Sequence, residues 1–196
     1  MKKILFPILL LTLGIGTASA QSTWVADKAH TDVLFTVTHM VISEVTGRFT
    51  DFDITVEQKN PADFLGATFT AEIKTASVNT DNEGRDKHLR SDDFFNAEKF
   101  PVMKFKSTSV EKTGAGSYKI TGDLTIRDVT KQVVLDAKYN GQMKDPWGNT
   151  KAGFKATTTI NRMDYGVKWS KALDAGGYVV ADDVTITLLV QLQLKK

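Results

Sequence analysis

Past residue 30 the apolar and polar positions of this chain alternate with a period of two. Val33, Phe35, Val37 and His39 fall on one face, with Leu34, Thr36, Thr38 and Met40 on the other. Phe52, Ile54 and Val56 alternate with Asp51, Asp53, Thr55 and Glu57, and Leu65, Ala67, Phe69, Ala71 and Ile73 with Thr68, Thr70, Glu72 and Lys74. The pattern resumes at Met103, Phe105 and Ser107, then at Tyr118, Ile120, Gly122, Leu124 and Ile126. It continues through Val133, Leu135, Ala137 and Tyr139, through Ala152, Phe154, Ala156, Thr158 and Ile160, and from Val184 to Leu194. This predicts about eight strands, each with one apolar and one polar face.

Turn chemistry separates the strands at Asn60-Pro61-Ala62-Asp63, Gly114-Ala115-Gly116, Arg127-Asp128 and Asp145-Pro146-Trp147-Gly148-Asn149. Short connections of this kind make the sheet antiparallel. A sandwich and a closed barrel both suit the alternation. Strands of about ten residues favour an antiparallel, lipocalin-like barrel, because closure removes the long edges they would otherwise expose. One segment, about residues 80–95, breaks the period. Thr80-Asp81-Asn82-Glu83 has capping-box spacing before a short charged helix, Arg85-Asp86-Lys87-His88 reads as a salt-bridged helix surface, and Phe94-Phe95 would anchor this insert.

The N-terminus adds a compartment. Lys2-Lys3, the apolar run from Ile4 to Ile15 and Ala18-Ser19-Ala20 form a signal-peptide pattern over residues 1–20, which leaves 21–196 as a single domain. The expectation is export without stable membrane insertion, since the apolar run is too short for a permanent span. Losing Lys2 and Lys3 brings the 25 basic residues to 23, equal to the 23 acidic ones, so charge gives no reason to expect nucleic acid as a partner. A second copy of the chain stays open as one. With no cysteine, the fold must hold without disulfides, and thiol chemistry is excluded.

Candidate chemistry is sparse. His30, His39 and His88 are the only histidines. His30 and His39 are nine apart and would point to opposite faces of one regular strand, so no metal site and no cofactor is expected. His30 reads as a polar residue at a strand start. His39, on an apolar face, reads either as a hydrogen-bonded core residue or as a contact for the polar end of a ligand. Arg162 with Asp164 reads as an ion pair at a corner.

The ordered blocks Asp27-x-x-His30, Phe35-x-Val-x-His39, Gly47-Arg48-Phe49, Thr80, Arg85-Asp86-Lys87-His88-Leu89, Asp93-Phe94-Phe95, Phe100-Pro101, Phe105, Gly122-Asp123-Leu124-Thr125-Ile126-Arg127 and Asn161-Arg162-x-Asp164-Tyr165-Gly166 resemble the YceI-like family. Asp128 stands where that family commonly has glycine, and Tyr165 where phenylalanine is usual. The resemblance implies a periplasmic, lipocalin-like barrel whose apolar pore holds a polyisoprenoid lipid, such as a quinone or its precursor; no catalytic motif occurs, so no enzyme is expected. The candidate contacts are then Phe35, Val37, His39, Phe52, Phe69, Arg85, His88, Phe105 and Phe154. Spacing alone does not say whether the aromatics line a cavity or fill it. Two alternatives stand beside the carrier: a lipid-modifying enzyme using His39 or His88, and a stress-related scavenging protein with a filled core. Mature protein recovered after export is expected to begin at Gln21, which intact-mass measurement or N-terminal sequencing checks.

Overall fold

The computed structural model describes residues 21–59, 63–174 and 176–195. The expected leader at 1–20 and residues 60–62 of the first predicted turn lie outside them. The strands are β1 (Ser22–Ala26), β2 (Asp32–His39), β3 (Ser43–Phe49), β4 (Phe52–Gln58), β5 (Thr68–Lys74), β6 (Val78–Asn79), β7 (Val102–Gly114), β8 (Ser117–Ile126), β9 (Val129–Lys144), β10 (Thr150–Asn161) and β11 (Val180–Leu194). One helix, α1 (Glu83–Arg90), stands between β6 and β7.

These segments occupy eight positions of one closed antiparallel barrel. Beyond β10, strand β11 pairs with β2 along residues 180–189 and with β1 along 192–194. In the next position β3 pairs with β2 and β4 with β1. In the one after, β6 pairs with β3 and β5 with β4. So β1/β2, β3/β4 and β5/β6 are three broken positions, and β7 to β11 are five unbroken ones. The alternation legible in the sequence is the alternation of this wall. Val56, Met103, Ile120, Leu135 and Leu192 point inward and are buried, while Lys104, Lys119, Asp136 and Lys155 point outward and are exposed. Apolar inside and polar outside is the reverse of a barrel that faces lipid. Among the described residues no helix is long and apolar enough to cross a membrane.

Three local expectations change. Strand β5 starts at Thr68 and not at Leu65, because the Asp63 carboxylate accepts from Leu65 N at 3.0 Å and Gly66, at φ +68°, turns the chain. Leu65 is therefore exposed and Phe64 turns inward. The helix is capped by Asn82, whose side chain accepts from Arg85 N, so the box led by Thr80 does not form. Asp86, read as part of a salt-bridged surface, is buried.

The seam between β11 and the broken β1/β2 position is held by polar side chains. The chain leaves the ladder at a 3₁₀ turn, Lys28–His30, whose cap Asp27 accepts from Ala29 N. The same carboxylate accepts from Lys151 Nζ at 2.8 Å, Gln191 Nε2 at 3.2 Å and the His30 ring at 3.1 Å. Thr31 Oγ1 donates to Gln191 O and accepts from Gln191 N, completing the ladder across the gap. The Lys151 ammonium in this half-buried joint holds the Asp27 carboxyl at about 2, below its ordinary 3.8.

A carboxyl depressed on folding stabilises the fold in full once the unfolded chain's carboxyl is ionised, and that contribution is lost as pH falls through about 2. Asp27→Asn is expected to cost about 2 kcal/mol at neutral pH. The gap between variant and native protein should narrow steadily below pH 4 and close only once the pH is below about 2. Urea unfolding at a series of pH values measures it.

Candidate functional site

The barrel is stoppered at one end and hollow towards the other. At the stoppered end Phe64, turned in from the β4–β5 connection, packs edge-on to Phe154 with ring centroids 4.8 Å apart. Trp24, Phe69 and Tyr139 surround it at 5.4 to 6.4 Å. Buried Gln58 fastens this floor, accepting from Trp24 Nε1 and donating to Asp63 O, each at 2.9 Å. Every buried polar side-chain atom here has a partner, so the floor closes without leaving an orphan.

Above the floor lies a cavity of about 300 Å³. Its wall is aliphatic and aromatic: Val33, Phe35 and Val37 from β2, Ile54 from β4, Ile73 from β5, Met103 and Phe105 from β7, Leu124 and Ile126 from β8, and Val184, Ile186 and Leu188 from β11. A smaller void of about 50 Å³ sits between cavity and floor. Ile54, Ala71, Phe105, Leu135 and Leu188 belong to the walls of both. Two glycines let the large rings lie flat against this wall. A Cβ on Gly47 would come within 2.3 Å of the Phe35 ring, and one on Gly122 within 2.5 Å of the Phe105 ring. The filled-core alternative does not hold for this interior.

Helix α1 and the segment after it form one side of the open end. Buried Asp86 accepts from both Thr80 N, at 2.8 Å, and Thr80 Oγ1, at 2.6 Å, pinning the helix to the end of β6. Arg85 sends Nε to Thr80 Oγ1 and Nη2 to Thr80 O, so its guanidinium is fixed at the rim of the cavity. His88 Nε2 meets Asp93 Oδ2 at 2.8 Å, and its ring stands perpendicular to Phe94 and Trp169. Phe95 packs edge-on against Phe49 of β3 at 5.5 Å. The aromatics do anchor the insert as the sequence suggested.

The opposite side of the opening is organised by Arg162. Its buried guanidinium donates to the carbonyls of Val167, Trp169, Val180 and Ala181. This clasps the segment 162–169 against the start of β11. The expected pair with Asp164 is not made: Arg162 reaches Asp182 at 3.4 Å, while Asp164 faces Lys131 at 3.3 Å. Arg162 lies in a four-residue 3₁₀ turn, Arg162–Tyr165, which aims its side chain inward and that of Asp164 outward.

Of the nine candidate contacts, Phe35, Val37, His39, Arg85, His88 and Phe105 line the large cavity. Phe69 and Phe154 line the small void, Phe105 again among its neighbours. Phe52 is buried and lines neither. His30 is exposed on its 3₁₀ turn against Asp27. Sequence reasoning missed Phe49, Tyr165, Val167 and Trp169, which also line the cavity. Val45, Gly47 and Phe49 do alternate, but a glycine in the middle position hides the period. Among the described residues, no serine or threonine hydroxyl hydrogen-bonds to the His39 or His88 ring, and no cluster of three metal-ligating side chains occurs. The arrangement can hold an elongated apolar molecule with its polar end near His39, Arg85 and His88.

The YceI-like domain model matches residues 24–192. A UPF0312 protein of Shewanella sp. strain ANA-3 is 42% identical over 155 residues, covering 77% of this chain and 80% of its own length. One from Staphylococcus aureus strain N315 is 39% identical over 159 residues, covering 81% and 90%. The crystal structure of the Campylobacter jejuni YceI protein is 38% identical with a TM-score of 0.70, covering 87% of this chain and 96% of that one. A polyisoprenoid-binding domain from Saccharophagus degradans, at 14% identity, shares the fold with a TM-score of 0.61, covering 88% and 98%.

Trp169 is the one of three tryptophans that lines the cavity; Trp24 is in the floor and Trp147 in an exposed turn. An apolar ligand entering the cavity is expected to shift the tryptophan emission. Trp169→Phe should remove most of that shift and Trp147→Phe almost none, as a fluorescence titration would show.

Proposed function

The chain belongs to the YceI-like family, and from that premise we propose that it is an exported carrier that holds a polyisoprenoid-type lipid, a quinone or its precursor, in the barrel interior. The observation that carries this reading is an apolar cavity of about 300 Å³ with its few polar groups gathered at the open end. That volume lies at the lower end of small-molecule sites, about 300–1,000 Å³. Each CH₂ moved from water into such a wall gains about 0.8 kcal/mol, so a prenyl tail binds by burial and needs few hydrogen bonds. The polyisoprenoid-binding domain on the same fold supports the ligand class. The leader at residues 1–20 supports a periplasmic location.

One observation favours turnover instead: the His88–Asp93 pair at 2.8 Å resembles the base and its orienting carboxylate in an acid–base site. Among the described residues the pair has no hydroxyl partner to activate, and its ring is wedged between Phe94 and Trp169. We read it as a fixed wall of the opening.

Organic extraction of the purified protein followed by mass spectrometry is expected to release an isoprenoid lipid. Lipid-free protein that also ignores added prenyl quinones would overturn the proposal. Ile186→Trp, which places an indole in the cavity beside its cross-strand neighbour Phe35, should abolish uptake while the fold persists. Unchanged uptake in that folded variant would place the ligand elsewhere.

A further inference from the structure

The hairpin between β2 and β3 turns on Met40 and Val41, both in the left-handed region at φ +52° and +66°. Ile42 N closes it onto His39 O at 3.3 Å. Asparagine and glycine suit two such successive left-handed positions best, because a side chain, above all a branched one, is strained there. The turn between β8 and β9 has the same backbone signature, at +50° and +60°, and there uses the polar pair Arg127-Asp128. At Met40-Val41 the strain coincides with a second cost. Met40 is 43% exposed, Val41 64% and Ile42 86%. Apolar side chains held outward on a strained turn point to a contact that the isolated molecule lacks.

The tip stands at the rim of the cavity. His39, which precedes it, lines the cavity, as do Val179 and Val180 beside it. Met40 N donates to Val179 O at 2.8 Å, and Val179 N to Lys171 O at 2.9 Å. Tyr178, 55% exposed, is bridged to Ala172 on this same small ladder. Val41 rests on Gly177, where an added Cβ would approach its Cγ2 to 2.9 Å.

We propose that this tip, Met40-Val41-Ile42 with Tyr178, is a membrane-contact finger that dips into the acyl boundary of a phospholipid bilayer and brings the cavity mouth against the lipid surface. The inference rests on the carrier reading for its purpose, because a prenyl lipid that leaves a membrane must cross from acyl chains to cavity. The surface fits a bilayer. Three aliphatic side chains project as a point, and a tyrosine, suited to the interface, stands beside them. Exposed Lys168 and Lys171 on the adjoining segment can meet lipid phosphates. Glu44 and Asp174 stand on the same rim and are also exposed, so apolar insertion outweighs charge. Such contact is shallow and reversible, unlike a span.

Flotation with vesicles of phosphatidylcholine and phosphatidylglycerol tests this, beside uptake of a prenyl quinone dispersed in vesicle-free buffer. The native protein should float with the vesicles, and Ile42→Asp should weaken that association about tenfold or more while uptake from buffer persists. Met40→Asn with Val41→Gly should likewise lose the vesicles yet raise the melting temperature, because it relieves the turn. Trp147→Ser, which removes an exposed aromatic from the far end of the barrel, should float like the native protein. The proposal falls if native protein ignores the vesicles, if the tip variants float unchanged, or if Trp147→Ser loses as much as Ile42→Asp. It falls also if sedimentation velocity shows that the tip joins two copies of the chain. Failure of native protein to take up the quinone from buffer would instead overturn the carrier reading, leaving the flotation result to be judged by itself.

Discussion

Closure of the barrel at the β11 seam is the constraint on which everything else depends. Along one edge β11 must satisfy both β1 and β2, which are separated by the 3₁₀ turn at 28–30. A gap there would leave the backbone of Gln191 unpaired inside the wall, a loss comparable to a buried orphan. Asp27 N and Thr31 Oγ1 both donate to Gln191 O, and Thr31 Oγ1 accepts from Gln191 N. The Asp27 carboxylate draws Lys151 and the Gln191 side chain into the same joint. An ion pair in a half-buried site is normally worth little by itself. Here it shares its acceptor with a turn and a ladder, so it fixes geometry as well as charge.

The three broken positions lie side by side, and their consequence is the opening. The breaks at 27–31, 50–51 and 75–77 are stitched by side chain and backbone together: Lys74 N to Asp51 O, Thr50 N to Ser77 O, and Thr75 Oγ1 to Phe100 O. Past the breaks, β2, β3 and β6 form the wall against which α1 and the Phe94-Phe95 turn pack. The other five positions run unbroken and supply a continuous apolar face. Size distribution along that face then separates hollow from floor. Trp24, Phe64, Tyr139 and Phe154 crowd the stoppered end, whereas Gly47, Ala71 and Gly122 leave room above it.

The two sides of the mouth are held by different physics. Around α1 the anchor is a buried carboxylate, Asp86, serving one threonine twice. Across from it Arg162 serves four carbonyls, those of Val167, Trp169, Val180 and Ala181. Burial draws that guanidinium below its ordinary range, opposed by the Asp182 carboxylate, yet an arginine stays charged under such a shift. Both groups spend their hydrogen-bonding capacity on the protein. His39 has no such partner among the described residues, and the second guanidinium nitrogen of Arg85, Nη1, is likewise uncommitted. These are the groups left to meet the polar end of a ligand.

Much of the wall was legible in the residues. Apart from Leu65, which the Asp63–Gly66 turn throws outward, the period-two phases from Val33 to Leu194 name inward-facing side chains on the strands the alternation predicts, and the turn residues at 114–116, 127–128 and 145–149 end the strands where the structure does. Local chemistry dictates this, because a strand exposes alternate residues to opposite faces whatever it pairs with. Local chemistry could not say that Phe69 and Phe154 border only a small void while Phe35 and Phe105 face a large one. Nor could it say that Phe52 faces neither. The partner of Arg162 and the burial of Asp86 also depend on segments distant in the chain. Whether an apolar face fills or encloses space depends on the summed volumes of residues brought from eight barrel positions and on one aromatic, Phe64, turned in by its loop. A single chain segment carries its own periodicity but no record of the volume opposite it, so the strands belonged to the sequence and the cavity to the tertiary structure.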